Sequence, residues 1–259
     1  RFSTTSSNNT AVGSQALDAN TTGSNNTGVG KDSLGANTTG INNTSVGSLS
    51  MTLNTTGASN AAVGVGALDA NTTGDQNTAI GSSSLGENTT ADNNSALGYL
   101  ALGVNTTGTR NVAVGALALS SNTTANDNVA VGGGTSGVCF AALQSNTTGT
   151  FNTAVGNGAL GANTTASENT ALGYSALLDN TTGDSNTALG KDALRANTTG
   201  SNNVAVGIDA LTLCTTGGGN VVMGASAGQD LTTGSSNTFV GLRTGQNITT
   251  ADGNTAMGV

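Results

Sequence analysis

A period of 17 residues runs almost the whole length of this chain and decides what it can become. An aliphatic marker stands at Val12, Val29, Val46, Val63, Ile80, Leu97, Val114 and Val131. After one interruption it resumes at Val155, Leu172, Leu189, Val206, Met223, Val240 and Met257. Gly follows the marker every time, and Asn stands three residues before it every time. So strict a period predicts a stacked array of coils rather than a globule built around one pocket.

High Gly with Asn, Thr and Ser also marks disordered chains. Here the apolar positions are strictly periodic, which predicts order. The net charge is −8 and Lys and Arg number six, scattered along the chain, so there is no basic footprint for nucleic acid or anionic lipid. No apolar run reaches membrane-spanning length, so no membrane insertion is expected. The reading is of a single array over 1–259, about 15 coils by the marker count, cut within a repeat at each end.

The best copies read Asn9-Thr10-Ala11-Val12-Gly13, then Ala16-Leu17, then Asn20-Thr21-Thr22-Gly23. Runs this short, punctuated by Gly and Asn, suit strands and tight turns rather than helices. The expected fold is an all-β parallel β-solenoid, a β-roll or β-helix with one 17-residue coil per repeat. Gly13 and Gly23 fall at two corners. Ala91, Ala125, Ala166 and Ala251 replace Gly at the second corner, so that corner tolerates a Cβ and the first does not.

Alternation along a strand puts Val12 on one face with residue 10, and residue 11 on the other. The Val12 face is read as the inside of the coil. Residue 11 is then outward, yet it is apolar at Ala11, Ala62, Ala79, Ala113, Ala130, Ala154, Val222 and Phe239. Strands apolar on both faces are covered on both, so these residues are the expected oligomer interface, most simply of a homotrimer about a central axis.

Asn-Thr-Thr recurs as a glycosylation-like triplet. Coils ~4.8 Å apart leave no room for a sugar on each, and the Asn column becomes Cys214, Leu231 and Ile248. It is therefore read as an inward Asn ladder. Where Gly228 and Gly245 replace Leu in the column of Leu17, the apolar group is read as moving into that Asn column. Thr21 and Thr22 are read as strand neighbours, one hydroxyl inward and one outward. Acidic residues, Asp18, Asp32, Asp69, Asp75, Glu87, Asp92 and Asp127, are read as forming no column and as solvated charges.

Val131 and Val155 are 24 apart, an insertion of seven placed in a surface loop at 133–141. Within it Thr135, Val138 and Phe140 are candidate partner contacts, Phe140 being one of only six aromatic residues. Cys139 and Cys214 belong to coils four repeats apart, roughly 19 Å at ~4.8 Å per coil, too far to bridge within one chain. With no His, no activated Cys and no aligned acid pair, no catalytic, metal or cofactor site is expected, and the chain is read as no enzyme.

The piece Asn111-Val112-Ala113-Val114-Gly115, repeated at 128–132 and 203–207, resembles the head repeats of trimeric autotransporter adhesins. Those have a usual period of 14 and form a left-handed parallel β-roll that trimerises. The longer unit from Asn186 to Gly200 resembles repeats of phage tail-fibre and related surface proteins. The resemblance implies a structural fibre or adhesin segment on a virion or outside a cell, associated with itself and engaged with a host-surface receptor or glycan. Two alternatives stand beside it: a self-stacking extracellular filament or sheath, and an ice-binding solenoid using its Thr ranks.

Overall fold

A computed structural model describes residues 6–135 and 140–258. The chain is an all-β parallel β-solenoid of about 14 turns, ~17 residues each. It divides into two compact units, Arg1–Asp127 and Asn128–Val259.

Each coil contributes one three-residue strand. In the first unit these run from β1 (Thr10–Val12) and β2 (Thr27–Val29) to β7 (Val112–Val114). In the second they run from β8 (Val129–Val131) and β9 (Thr153–Val155), through β13 (Val221–Met223) and β14 (Thr238–Val240), to β15 (Thr255–Met257). Within each unit neighbouring strands pair in parallel with every column in register, Thr10 on Thr27 and Val12 on Val29. β8 and β9 keep that register across the 24-residue spacing, Val129 on Thr153 and Val131 on Val155. The Phe140 carbonyl accepts Gly158 N–H at 2.9 Å, just as Asn157 accepts Ser175 N–H at 3.0 Å in the next coil. Phe140 thus already stands in the residue-14 place of its coil, and the inserted residues are 133–139.

The strand faces are the reverse of the sequence expectation. Ala62, Ala79, Ala113, Ala130, Ala154, Val222 and Phe239 have no exposure in a single chain. They line the inside of the coil and are not an outer interface. Ala11 shares their column but is exposed in the first coil. The markers face out: Val12, Val46, Val63, Ile80, Leu97, Leu172, Leu189, Met223 and Met257 are 36–76% exposed. Alternation says which residues share a face, and side-chain volume decides which face is inside. The interior here is narrow. A Cβ built on Gly28, in the Ala11 column, would lie 3.4 Å from Leu17 Cγ and 3.2 Å from the Ser33 carbonyl. Ala fits such a space opposite Leu; Val or Ile does not.

Exceptions in that column confirm the volume rule. Val222 and Phe239 appear where the Leu17 column shrinks to Gly228 and Gly245. A Cβ on Gly228 would meet the Phe239 ring at 3.1 Å, and one on Gly245 would meet it at 2.6 Å. The missing Leu volume is therefore filled across the core by Phe239, rather than solely by the Asn column. Leu231 is buried in that Asn column as well. Gly at these two places also relieves strain. The Leu17 column is left-handed throughout, from Leu17 (φ 52°) to Leu211 (φ 55°), a conformation that costs an L-residue roughly 1–2 kcal/mol.

The rest of the coil is not a second strand. After Leu68 the buried residues come every third place, Asn71, Gly74 and Asn77, with Thr72 half-buried and Thr73 exposed between them. Thr21 and Thr22 therefore do not point in opposite directions. The first Thr turns its hydroxyl to the carbonyl of its counterpart one coil on, Thr21 to Thr38 at 2.8 Å and Thr55 to Thr72 at 2.9 Å. The second Thr stands in solvent.

Two Asn ladders hold this half of the coil. Asn54 Nδ2 donates to Asn37 Oδ1 at 2.9 Å and to the Gly57 carbonyl at 3.0 Å. Asn43 Nδ2 reaches the same Gly57 carbonyl at 2.8 Å, and Asn43 Oδ1 accepts Asn60 N–H at 2.9 Å. Buried amides spent this way satisfy the corner backbone, and from Asn37 to Asn197 the Asn-Thr-Thr side chains have no exposure to offer a glycan. Some acidic side chains are structural too. Asp75 accepts Ala58 N–H and Asp92 accepts Asp75 N–H, each at 2.7 Å, so they are more than solvated charges.

Candidate functional site

Among the described residues no group of His, Cys, Asp or Glu is placed to hold a metal ion. Two surfaces of another kind stand out. One is the outward face of the strands. The marker column is aliphatic in all fifteen copies, and beside it runs residue 10, Thr in most coils and Val at Val112, Val129, Val204 and Val221.

The other is a groove in the second unit of about 430 Å³, lined by Phe140, Asn157, Gly158, Tyr174, Ser175, Leu178, Lys191, Asp192 and Arg195. Stacking explains its make-up. Phe140, Asn157, Tyr174 and Lys191 are successive members of the residue-14 column, and Gly161, Leu178 and Arg195 succeed one another in the residue-18 column. Phe140 and Tyr174 are two coils apart, roughly 9–10 Å at ~4.8 Å per coil. Asn157 stands between them in the column, and both aromatic residues line the groove. Phe140 leans over Gly161: a Cβ there would lie 2.6 Å from Phe140 Cβ. It remains 43% exposed, and Tyr174 54%.

Charge gathers at the Tyr174 end. Lys191 Nζ lies 3.0 Å from Asp192 Oδ2, and Arg195 Nε lies 3.9 Å from Asp192 Oδ1. The Asp192 hydrogen bond, and then its charge, raise the Lys191 pKa. The Asp192 side chain is only 13% exposed, whereas those of Lys191 and Arg195 are 58% and 51% exposed. One lining carboxylate faces two lining cations, and the charge of Asp209 also acts on Lys191.

Of the sequence candidates, Phe140 lines this groove, Thr135 is exposed, and Val138 lies outside the described residues, as does Cys139. Cys214 is a free, buried thiol, its pKa pushed up to about 11 by burial. Tyr174, Lys191 and Arg195 were not singled out from sequence. The signal was available: at a period of 17 they fall in the residue-14 and residue-18 columns beside the insertion. Comparison with models of known protein families finds no match, and comparison with curated proteins finds none either.

Proposed function

We propose that the chain is a structural fibre segment, assembled as a homotrimer through the outer faces of its sheets and serving surface attachment on a virion or outside a cell. The observation that carries this reading is the aliphatic marker column turned to solvent in each unit. Complete burial of a Val or Leu is worth ~1.5–3 kcal/mol, so a residue still about two-fifths exposed retains roughly 0.6–1.2 kcal/mol of unrealised burial. Nine markers are exposed to that degree or more, and together they offer roughly 5–10 kcal/mol, comparable with the ~4–15 kcal/mol cost of association. A column this regular is otherwise a liability on a lone chain. Charges are nearly absent from it, and the Ala column that the sequence suggested as an interface is occupied inside the coil.

Light scattering on the intact chain tests the assembly. The expected mass is three times 24.8 kDa. Ile80→Asp with Leu97→Asp, on the marker column, should reduce it to the monomer, while Thr56→Asp on the exposed Thr column should not. A monomeric wild-type chain at micromolar concentration removes the trimer.

A second reading, ice binding, draws on a specific observation. Residues 10 and 12 supply two outward ranks on one strand, Thr beside an aliphatic residue, in register along each unit. Thr21-type hydroxyls are already committed to carbonyls, so the Thr-Thr pair offers only one free rank. The Val substitutions at residue 10 and Ala61 interrupt the Thr rank. Freezing-point hysteresis measured on the purified chain decides this reading.

A further inference from the structure

We propose that the groove between Phe140 and Tyr174 binds a carboxylate-bearing sugar ring, of the uronic or sialic acid kind, presented by a surface polysaccharide. The proposal rests on the attachment reading for its biological setting and on the groove alone for its chemistry. The chain has six aromatic residues and six cations. Two of each, Phe140, Tyr174, Lys191 and Arg195, line this one cavity. Its volume of about 430 Å³ lies within the ~300–1,000 Å³ usual for small-ligand sites.

Each component matches part of such a ligand. Two half-exposed aromatic residues of one column, Phe140 and Tyr174, offer apolar faces to the C–H side of a saturated ring. Gly158 adds no side chain to the groove, whereas Phe140 covers Gly161 and Leu178 packs beside both glycines as part of the lining. Ser175 supplies a hydroxyl and Asn157 its Oδ1 as partners for ring hydroxyls, the Asn157 Nδ2 already donating to the Gly133 carbonyl. Beyond Tyr174, Asp192 faces both cations, and the charge of Asp209 acts on Lys191 as well. A guanidinium paired with a single neighbouring carboxylate, as Arg195 is at 3.9 Å, suits a second planar carboxylate better than a neutral ring. Asp192 then fixes the two cations in place and repels a second negative charge, which favours a monoanionic ring over a doubly charged phosphate.

Tyr99 supplies the internal control. It stands in the same residue-14 column in the first unit and is 56% exposed. Its column neighbours are Ser82 and Ala116, and the residue-18 column there holds Gly86, Gly103 and Ser120. No cation and no second aromatic residue stand at these positions. The proposal therefore predicts ligand binding at Tyr174 and none at Tyr99.

The chain has no Trp and two Tyr, so tyrosine emission reports on these two places alone. Methyl glucuronide, sialic acid, methyl glucoside and inorganic phosphate are titrated against the intact chain, with calorimetry in parallel. The expected result is a millimolar Kd for one or both acid sugars, with the glucoside at least tenfold weaker. Tyr174→Ala and Arg195→Gln should each weaken the acid sugar about tenfold or more, and Tyr99→Phe should leave it unchanged. An oligosaccharide ending in the same acid sugar should bind at least as tightly as the free monosaccharide if the natural source is a polysaccharide chain. Equal binding of the glucoside, phosphate binding in place of the sugar, insensitivity to Arg195→Gln, or no binding of any acid sugar at tens of millimolar overturns the proposal. Light scattering on the same samples separates the two readings. A trimer that binds no acid sugar defeats only this inference, and a monomer that binds one defeats only the fibre.

Discussion

The two corners of each coil are equally crowded and yet accept different residues. At the first, a Cβ on Gly98 would lie 2.5 Å from both the carbonyl carbon and the oxygen of Gly115. At the second, a Cβ on Gly57 would lie 2.6 Å from the Gly74 oxygen and closer still to Asn54 Oδ1. Space alone would forbid Ala at both. The chain nevertheless carries Ala91, Ala125 and Ala166 at the second corner, each 2% exposed, and only Gly at the first. The difference is in the backbone. The first corner runs at φ +124° to +152°, a region essentially closed to L side chains. The second does not have positive φ, so a small shift of the coil spacing admits one methyl. Ala91 keeps the function of the corner as well: its carbonyl still accepts Asn77 Nδ2 at 2.8 Å and Asn88 Nδ2 at 3.1 Å.

The strongest attempt to break this contrast is Gly98→Ala. Strain at a forbidden φ, together with contact against the next coil's backbone, predicts destabilisation of about 4 kcal/mol or more. Chemical denaturation monitored by circular dichroism would measure it. A loss under about 1 kcal/mol would show that the first corner relaxes as freely as the second, and that its Gly has another cause.

Next in size is Asn105→Leu, which places in mid-ladder the residue the chain itself uses at Leu231. Asn105 Nδ2 donates to Asn88 Oδ1 and the Gly108 carbonyl, and Asn105 Oδ1 accepts Asn122 Nδ2 at 2.8 Å. The Gly108 carbonyl keeps its second donor, Asn94 Nδ2 at 2.8 Å. The Asn88 oxygen keeps none in the ladder, so one buried acceptor is orphaned. The expected cost is about 2–3 kcal/mol. Gly57→Ala at the second corner should cost about 1 kcal/mol, since three buried alanines already occupy that column. Equal losses for Gly57→Ala and Gly98→Ala would defeat the backbone explanation.

How much of this was legible in the sequence depends on what kind of statement is asked for. Period, register and strand direction follow from the spacing of the markers, because a strict repeat lets each coil lay its strand in parallel register on the next. The inward Asn column followed from Leu231 and Ile248, which a solvent-facing ladder would not accept. Face assignment failed because hydrophobicity ranks Val above Ala, while the narrow bore selects for size. The corrective signal was present in the exchange of Gly228 and Gly245 against Phe239, which only an inward residue-11 column explains. The left-handed residue-15, residue-17 and residue-25 columns were illegible at Leu17 or Asn25 alone. They show only where Gly66, Gly158, Gly219, Gly228, Gly245 or Gly253 substitutes. The groove was missed because its cations and Tyr174 lie in variable columns, where the repeat carries no expectation.

The smallest predicted effect concerns the end of the Asn ladder. Each Nδ2 donates backward to the Oδ1 of the coil before, so the ladder has a direction. Cys214 interrupts it: its thiol lies 3.6 Å from the Gly217 carbonyl, and Asn197 Oδ1 is left buried without a partner. Cys214→Asn would supply that partner and a better donor to Gly217. Its own Oδ1 would then face Leu231, which donates nothing, so the orphan moves one coil along rather than disappearing. The net change should stay within about 1 kcal/mol. A gain of 2 kcal/mol or more would mean that the new oxygen finds a donor the ladder does not show. The thiol adds a pH signature. Its folded pKa of about 11 is raised above the ordinary value of 9.0. Its contribution is therefore fully present below pH 9 and is lost as pH rises toward 11. The stability difference between wild type and Cys214→Asn should shift toward the variant across that window and be flat below it.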